Sequence, residues 1–318
     1  MNKKENKALF KAFSEKWKKE LPFCMHFDWW KEVVKKDWEV LCVQSGNEVI
    51  GIWPLYIRQK GPWRIICNPP LTPYCGPFLI YPKGQKTVRK IAFENKQYKE
   101  LIKQCPNFAL LDVNLPLYFK NSLEFHWHAF QDRKRFTYLI DLSQDEEQLW
   151  AKLKESTRRQ IKKANKTLRL KTHDDFHQLE INAQSSFEKQ NTAYPIADPD
   201  LMKRLSSYVN KHNCGKLWTA YESDKLHASL LMVVDKNSAY YLMGGADSSY
   251  KNSGAMSLLL WQAILSAKEM GLAEFNTEGS MHPKIEPFLR GFGGDLTAFS
   301  NLYKEGSKFF QFAKKLKP

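Results

Sequence analysis

The chain has 318 residues, 43% hydrophobic and 14% aromatic, which is enough to bury two cores and too apolar for a disordered chain. Lys and Arg number 49 against 34 Asp and Glu, a formal charge of +15, so a negatively charged partner is expected on at least one face. The longest apolar run, Ala255–Ala267, is shorter than the ~20 residues that cross a bilayer, and charges interrupt the opening residues throughout. The six cysteines show no CxxC or paired spacing, and the eight histidines gather no carboxylate or thiol around them. A disulfide scaffold, a helical membrane protein and a metal centre are therefore not expected; reduced thiols predict a cytoplasmic protein.

In chain order, Leu9, Phe10, Phe13, Trp17 and Leu21 recur at helical spacing and predict a helix with a buried face. "EVLCVQSGNEVIGIWPLYI" reads as two strands around a Gly46-Asn47 turn. Four prolines stiffen "NPPLTPYCGP", a rigid loop that carries Tyr74. "RKRFTYLIDL", Arg133–Leu142, predicts a strand, and the charged run at Gln131–Arg135 marks a domain boundary. The expected domains are 1–132, completed by a C-terminal helix over 305–318, and 133–304.

"DLSQDEEQLWAKLKESTRRQIKKANK" predicts one helix, opened by a capping box from Ser143 to Glu146. Leu149, Leu153, Ile161, Ala164 and Leu168 form its buried stripe. Arg158 and Lys162 lie opposite, with Arg159, Lys163 and Lys166 beside them. From Lys152 to Lys171 there are nine basic residues and one acid. Such a face is either simply solvated or turned toward phosphates or nucleic acid.

The second half repeats the first as a pattern. "KLWTAYESDKLHASLLMVV" reads as two strands around Asp224-Lys225, and an offset of 178 residues pairs Ser45 with Ser223, Asn47 with Lys225 and Gly76 with Gly254. "AMSLLLWQAILSAKEMG" predicts a helix stopped by Gly271, "LAEFNTE" a short strand, "PKIEPFLRGF" a helix, "LTAFSNLYK" a last strand and "SKFFQFAKKLKP" an amphipathic tail. The loop entering the long helix offers backbone N–H groups of Gly254, Ala255, Met256 and Ser257 to an anion, with Lys251 adding charge. An ordinary capped helix start accounts for the same residues.

The segments "STRRQIKKANK", "YYLMGGAD", "GAMSLLLWQAI" and "FNTEGS…IEPFLRGFGG" together resemble the GNAT acyltransferase superfamily, and the two-domain layout resembles its Fem branch. The resemblance implies an α/β fold (α+β mixed sheets) of two tandem GNAT-like domains. It implies transfer of an acyl or aminoacyl group, from acyl-CoA or aminoacyl-tRNA, to an amine acceptor such as a cell-envelope precursor. Glu278, at a predicted strand end, is the first candidate to deprotonate the amine, and Asp247 the second. Tyr241, on a predicted strand, is a candidate to protonate the leaving group. GNAT enzymes hold the coenzyme A pyrophosphate with an R/Q-x-x-G-x-G/A loop; here Lys251-Asn252-Ser253-Gly254-Ala255-Met256 keeps the first glycine and ends in Met. The Fem motif Phe-Lys-x-Gly-Phe appears as Phe288-Leu289-Arg290-Gly291-Phe292, with Leu in place of Lys and Arg290 beside it. Arg290 is thus the candidate oxyanion or substrate contact. Trp53, Arg58 and Tyr74 are candidate acceptor contacts. A non-catalytic, basic nucleic-acid-binding protein and a degenerate, ligand-binding GNAT fold stay open as alternatives.

Overall fold

The computed structural model describes residues 3–174, 176–189, 194, 196–279, 281–307 and 309–311. The chain divides into two compact units, Met1–Arg135 with Ala298–Pro318, and Phe136–Thr297. The second unit thus ends before Ala298, earlier than the boundary at 304 read from the sequence. Of the predicted tail helix, 312–318 lie outside the described residues.

Unit 1 opens with α1 (Lys3–Lys16), whose Phe10 and Phe13 are buried, while Trp17 lies past the helix end and is half-buried. Strands β1 (Trp38–Ser45), β2 (Glu48–Lys60), β3 (Trp63–Cys67) and β4 (Phe78–Leu79) follow, then α2 (Thr87–Gln104), β5 (Leu110–Asn114), α3 (Leu123–Trp127) and β6 (Gln131–Asp141). β1 pairs antiparallel with β2, β2 with β3 and with β4, and β3 runs parallel to β5. Trp53, Leu55, Ile66, Leu101, Leu111, Val113 and Phe125 fill the core between this sheet and α2.

Unit 2 carries α4 (Glu146–Lys152), α5 (Glu155–Thr167), β7 (Arg169–His173), α6 (His177–Lys189) and α7 (Leu201–His212). After these come β8 (Gly215–Glu222), β9 (Lys225–Val234), β10 (Ser238–Ala246), α8 (Ala255–Glu269), β11 (Glu274–Asn276) and α9 (Glu286–Arg290); β12 (Asp295–Glu305) follows and from Ala298 onward belongs to unit 1. Its sheet runs β7, β8, β9, β10, β11, β6. The stripe predicted on the linking helix is buried from Leu149 to Leu168 and packs with α8.

The repeat is present, with its final strands exchanged. β6, encoded at the end of the first copy, pairs through Leu139–Asp141 with β11. β12, encoded at the end of the second, pairs through Asn301–Glu305 with β5. Two details of the alignment shift. The second hairpin turns at Ser223-Asp224, with Ser223 at φ +52°, so Ser223 corresponds to Gly46 and not to Ser45. Gly254 abuts α8 directly, whereas Gly76 precedes β4 and the first copy's helix begins only at Thr87.

The predicted single helix is two. The capping box is built by Asp145 and Gln148, each two positions beyond the pair expected, because Asp145 takes the Gln148 N–H at 2.8 Å. α4 then stops at Lys152, and Leu153 and Lys154 are extended before α5 begins. The glycine-rich turn after α9 seats on this break. Lys154 N–H donates to Gly291 O at 2.9 Å, and a Cβ on Gly293 would lie 2.5 Å from Lys152 O. One on Gly291 would meet Thr157 Oγ1 at 2.7 Å, and one on Gly294 would meet Leu139 O at 2.9 Å. Close approach of main chain to main chain is what "RGFGGD" permits.

Gly293 and Gly271 share φ +74°, but nothing lies within 4 Å of a Cβ on Gly271. Gly271→Ala is therefore expected to lose about 1–2 kcal/mol, the left-handed penalty alone. Gly293→Ala adds about 2 kcal/mol from displacing the Lys152 carbonyl. Urea midpoints of the two variants at equal m-value check the difference; equal losses would show that the turn is not clamped to the α4–α5 break.

Candidate functional site

β10 and β11 run parallel through Ser238↔Glu274, Ala239↔Phe275 and Tyr240↔Asn276, and there the pairing stops. β11 ends, while β10 continues to Ala246 with a register shift between Tyr241 and Met243 against β9. A bulge of this kind bends its strand and re-aims the side chains beside it. The two strands part, and past Tyr240 β10 has no strand partner on the β11 side. Tyr241 stands on one prong of the fork and Glu278 just beyond the other.

Glu278 is held in place by main chain. Its N–H donates to Asn276 Oδ1 at 2.9 Å, and the same oxygen accepts from Thr137 Oγ1 at 2.7 Å. Both Glu278 and Gly279 are left-handed, at φ +61° and +62°. Gly279 has to be glycine, because a Cβ would lie 2.1 Å from Phe136 O. A glutamate at positive φ is uncommon and costs about 1–3 kcal/mol. The Glu278 Oε1 atom is enclosed and has no hydrogen-bond partner among the described residues. That burial holds the carboxyl well above the usual carboxylate range.

Tyr241 packs against the α8 side of the sheet, and burial alone pushes its phenol upward. Its ring covers Gly244, where a Cβ would meet Tyr241 Oη at 2.5 Å and Met256 Cε at 3.0 Å. The Met at the last loop position is thus turned toward Gly244 and the tyrosine. Next to it, Gly245 lies under α6, where a Cβ would sit 2.2 Å from Asn182 O. Successive glycines inside a strand signal such close approach, and "GGAD" carried that signal unread.

The loop ahead of α8 is braced by α5. Gly254 is left-handed at φ +78°, and its Cα faces Gln160 O, which a Cβ would meet at 2.7 Å. Lys163 Nζ donates to Asn252 O at 3.2 Å. Ser253 Oγ caps Ala255 N–H at 3.2 Å, and among the described residues no partner is found for the N–H groups of Met256 and Ser257. The Ser257 hydroxyl, in contrast to the sequence expectation, is buried and committed to Gln160 Oε1 at 2.8 Å. It ties two helices together, which leaves only its main-chain N–H for an anion. Lys251 is exposed.

On α5, Arg159 is paired with Glu155 at 2.8 Å, and Lys162 lies 5.8 Å from the Trp150 ring centre. Lys166 is exposed, and Arg158 half-buried with no carboxylate partner among the described residues. Asp247 caps its own turn, accepting from Ser249 N at 2.7 Å while its N–H reaches His227 O at 2.9 Å. Its side chain thus caps the turn that follows β10. Leu289 is core, 2% exposed. Arg290 is exposed and reaches Glu286 at 3.0 Å, and Glu286 in turn accepts from the Tyr138 hydroxyl.

In unit 1 the expected acceptor contacts separate. Trp53 is fully buried, its indole N–H donating to Cys75 O at 3.1 Å, and it packs edge-on against Phe125. Trp53 is a core residue because its polar atom is satisfied internally. Tyr74 is buried edge-on against Phe299, and Arg58 is exposed on β2. This unit has its own parting of strands, after Cys67↔Asp112. There the proline loop fills the gap: Asn114 N–H donates to Asn68 Oδ1 at 2.7 Å, and Cys75 N–H to Asn114 O at 2.8 Å.

Comparison with known proteins follows this geometry. Residues 151–279, the stretch that contains the fork, match the family described as an acetyltransferase (GNAT) domain. FemX is similar over 94% of this chain and 96% of its own, with a TM-score of 0.62 at 11% identity. The fold is a Fem-type GNAT fold. The C-terminal domain of a putative lysylphosphatidylglycerol synthetase from Agrobacterium fabrum is similar at a TM-score of 0.58 and 12% identity, covering 97% of this chain and 96% of that one. A tandem GNAT protein from the clavulanic acid biosynthesis pathway is similar at 0.50 and 11%, covering 85% and 83%. No curated protein sequence matches the chain. At these identities the likeness is one of fold.

A raised Glu278 has a thermodynamic consequence. The folded protein keeps the proton that the unfolded chain releases in the ordinary carboxylate range, so Glu278 weakens folding progressively as pH rises from that range toward its own raised value. Glu278→Gln, which cannot ionise, is expected to match the wild type near pH 4 and to gain on it steadily above pH 5. Denaturant midpoints from pH 4 to pH 8 check this. A constant difference across that range would mean the carboxyl titrates normally.

Proposed function

We propose that unit 2 transfers an acyl or aminoacyl group from an activated donor to an amine, with Glu278 as the general base. The observation that carries the reading is the Glu278 carboxyl beside the β10–β11 fork, whose Oε1 is enclosed and without a partner among the described residues, on a residue held at φ +61°. The amine attacks the donor carbonyl, a C–N bond forms, and the C–S bond of a thioester or the C–O bond of an ester breaks. Glu278, in its ionised form, accepts the amine proton; its raised proton affinity makes it a stronger base while lowering the fraction that is ionised, so transfer rises with pH until the carboxyl has titrated. Tyr241 supplies a proton to the departing thiolate or alkoxide; its hydroxyl has no hydrogen-bond partner among the described residues. Arg290, linked through Glu286 to Tyr138, is assigned to substrate contact at the rim.

The donor's phosphates are assigned to the start of α8, where the Met256 and Ser257 N–H groups, Lys251 and Lys163 converge on one end of the loop. Acyl-CoA and aminoacyl-tRNA both bring phosphate, and both are made in the cytoplasm, where we place the reaction. The α5 face of Arg158, Lys162 and Lys166 favours the larger polyanion. The lysylphosphatidylglycerol synthetase domain that shares the fold supports an acceptor in the cell envelope, with Arg58 as its exposed candidate contact on unit 1. Purely phosphate-directed binding without chemistry is the second reading, and it rests on the same α5 face.

Glu278→Gln is expected to lower transfer at least 100-fold while circular dichroism and the neutral-pH melting point show an intact fold. Tyr241→Phe is expected to lower it less. Radiolabelled acetyl-CoA and charged tRNA, each offered with a panel of amines, supply the assay. Lys162→Ala with Lys166→Ala should weaken tRNA use in a salt-dependent way and leave acyl-CoA use intact. Transfer that survives Glu278→Gln would remove the base assignment, and salt-sensitive tRNA binding with no transfer at all would favour the binding-only reading.

A further inference from the structure

Unit 1 leaves the start of α2 uncovered. Its buried stripe, Glu94, Gln97, Tyr98 and Leu101, continues backward at helical spacing to Ile91 and Val88. These two cover nothing: residues 87–92 are exposed throughout, and Val88 is 80% exposed. α3 adds a second apolar station. Leu123 and Trp127 stand four residues apart on its outer side, Trp127 62% exposed, while Glu124 and Phe125 are buried.

Asn121 joins the two stations. Its Nδ2 donates to Glu94 Oε2 at 3.0 Å and to Asn95 Oδ1 at 2.8 Å, and its Oδ1 accepts from Leu123 N–H at 3.1 Å. Tyr81, on the chain entering α2, closes the group by donating to Glu94 Oε1 at 2.8 Å. Among the described residues twelve large apolar side chains are exposed, and six of them, from Tyr81 to Trp127, gather in this region. A cluster of that kind marks a surface that meets something.

The outward charge here has one sign. Residues 81–93 contain Lys83, Lys86, Arg89 and Lys90 and no acid, and Lys120 precedes Asn121. All five are exposed, and none has a carboxylate partner among the described residues. Lys90 lies 4.4 Å from the centre of the Tyr81 ring. The two acids of the region are turned inward. Glu94 is buried under Tyr81 and Asn121, and Glu124 is buried 3.3 Å from His128 Nδ1.

We propose that this face of unit 1 docks on an anionic bilayer surface. Val88, Ile91, Leu123 and Trp127 enter the headgroup layer, and the five cations meet the lipid phosphates. Apolar and indole side chains set among Lys and Arg are what an interfacial contact requires. A nucleic acid would engage the cations and leave Val88, Ile91 and Leu123 in water. A protein partner fits less well, because lysine is depleted from protein interfaces. No helix among the described residues is long and apolar enough to cross a membrane, so the contact lies on the surface. It uses none of the residues assigned to transfer and does not depend on that assignment.

Co-sedimentation of the full chain with vesicles tests this. The vesicles are phosphatidylcholine alone, or phosphatidylcholine mixed with phosphatidylglycerol or phosphatidylserine at equal charge. Both anionic mixtures are expected to bind at least tenfold tighter than phosphatidylcholine alone. Val88→Ser with Trp127→Ala, and Lys86→Gln with Arg89→Gln, are each expected to weaken that binding at least fivefold. All four side chains are exposed, so the melting temperature is expected to stay unchanged. Ile91→Ser with Leu123→Ser repeats the apolar test should the first pair disturb its helices. No binding, or equal binding to neutral and anionic vesicles, would overturn the proposal. A change of less than fivefold in the charge variant, or in both apolar variants, would overturn it too. So would binding lost instead in Lys162→Ala with Lys166→Ala, which would place the lipid contact on α5.

Discussion

The side-chain oxygen of Asn276 governs the geometry of the fork. It closes β11 by accepting from Glu278 N–H and anchors that end to β6 by accepting from Thr137. With this oxygen in place, the chain turns through two left-handed residues, and Gly279 slides against the Phe136 carbonyl. The direction of the Glu278 side chain is thereby set by its backbone, and Oε1 has no partner among the described residues. A base must be free to take a proton and yet must not wander, and under the proposed role this arrangement would meet both needs. Removing the Asn276 amide would leave the carboxyl in the same composition with no fixed direction.

The same economy runs through the glycines. Gly244 admits the Tyr241 ring, Gly245 admits α6, Gly254 admits α5, and Gly291–Gly294 admit the α4–α5 break and β6. Each gives up its side chain to a close neighbour, so the elements that carry Tyr241, the loop before α8 and Arg290 are set at distances that side-chain packing alone would leave softer. Leu289 belongs to this scheme. It occupies the core beneath α9, and no cation is possible at a position 2% exposed without a partner. The charge displaced to Arg290 therefore sits on the exposed side of the same short helix, steadied by Glu286.

Periodicity and turn chemistry made most of the fold legible. The stripe from Leu149 to Leu168, the Gly46-Asn47 hairpin, the helix ended by Gly271 and the strand holding Phe275 all follow from spacing and from residues with strong local preferences. Glu278 could be picked out because an acid directly after a short strand is conspicuous. What escaped was decided by contacts distant in sequence. The break between α4 and α5 has no proline or glycine of its own; it is imposed by Gly291 and Gly293, more than a hundred residues later. Trp53 was a candidate acceptor contact because nothing local shows that Cys75 will take its N–H. The capping pair was misread by two residues and the second turn by one, because Ser143 and Asp145 both suit an N-cap, and Ser223-Asp224 and Asp224-Lys225 both suit a turn.

The duplication gives the most general argument about function. Both copies contain a parallel strand pair that parts after three residues, Cys67↔Asp112 in one and Tyr240↔Asn276 in the other. A parting leaves backbone groups without a ladder, and buried groups of that kind have to find partners. In unit 1 the proline-stiffened loop supplies them, with Asn68 and Cys75 bonding both sides of Asn114. In unit 2 the glycine-rich end of β10 is bridged on one side by α6, through Ser186 to Ala246 N at 3.0 Å, and among the described residues no loop bonds across the fork on the Glu278 side. The two copies thus treat one parting of strands differently: the first fills it with a stiffened loop, and the second flanks it with the left-handed Glu278 and with glycines that admit Tyr241 and α6.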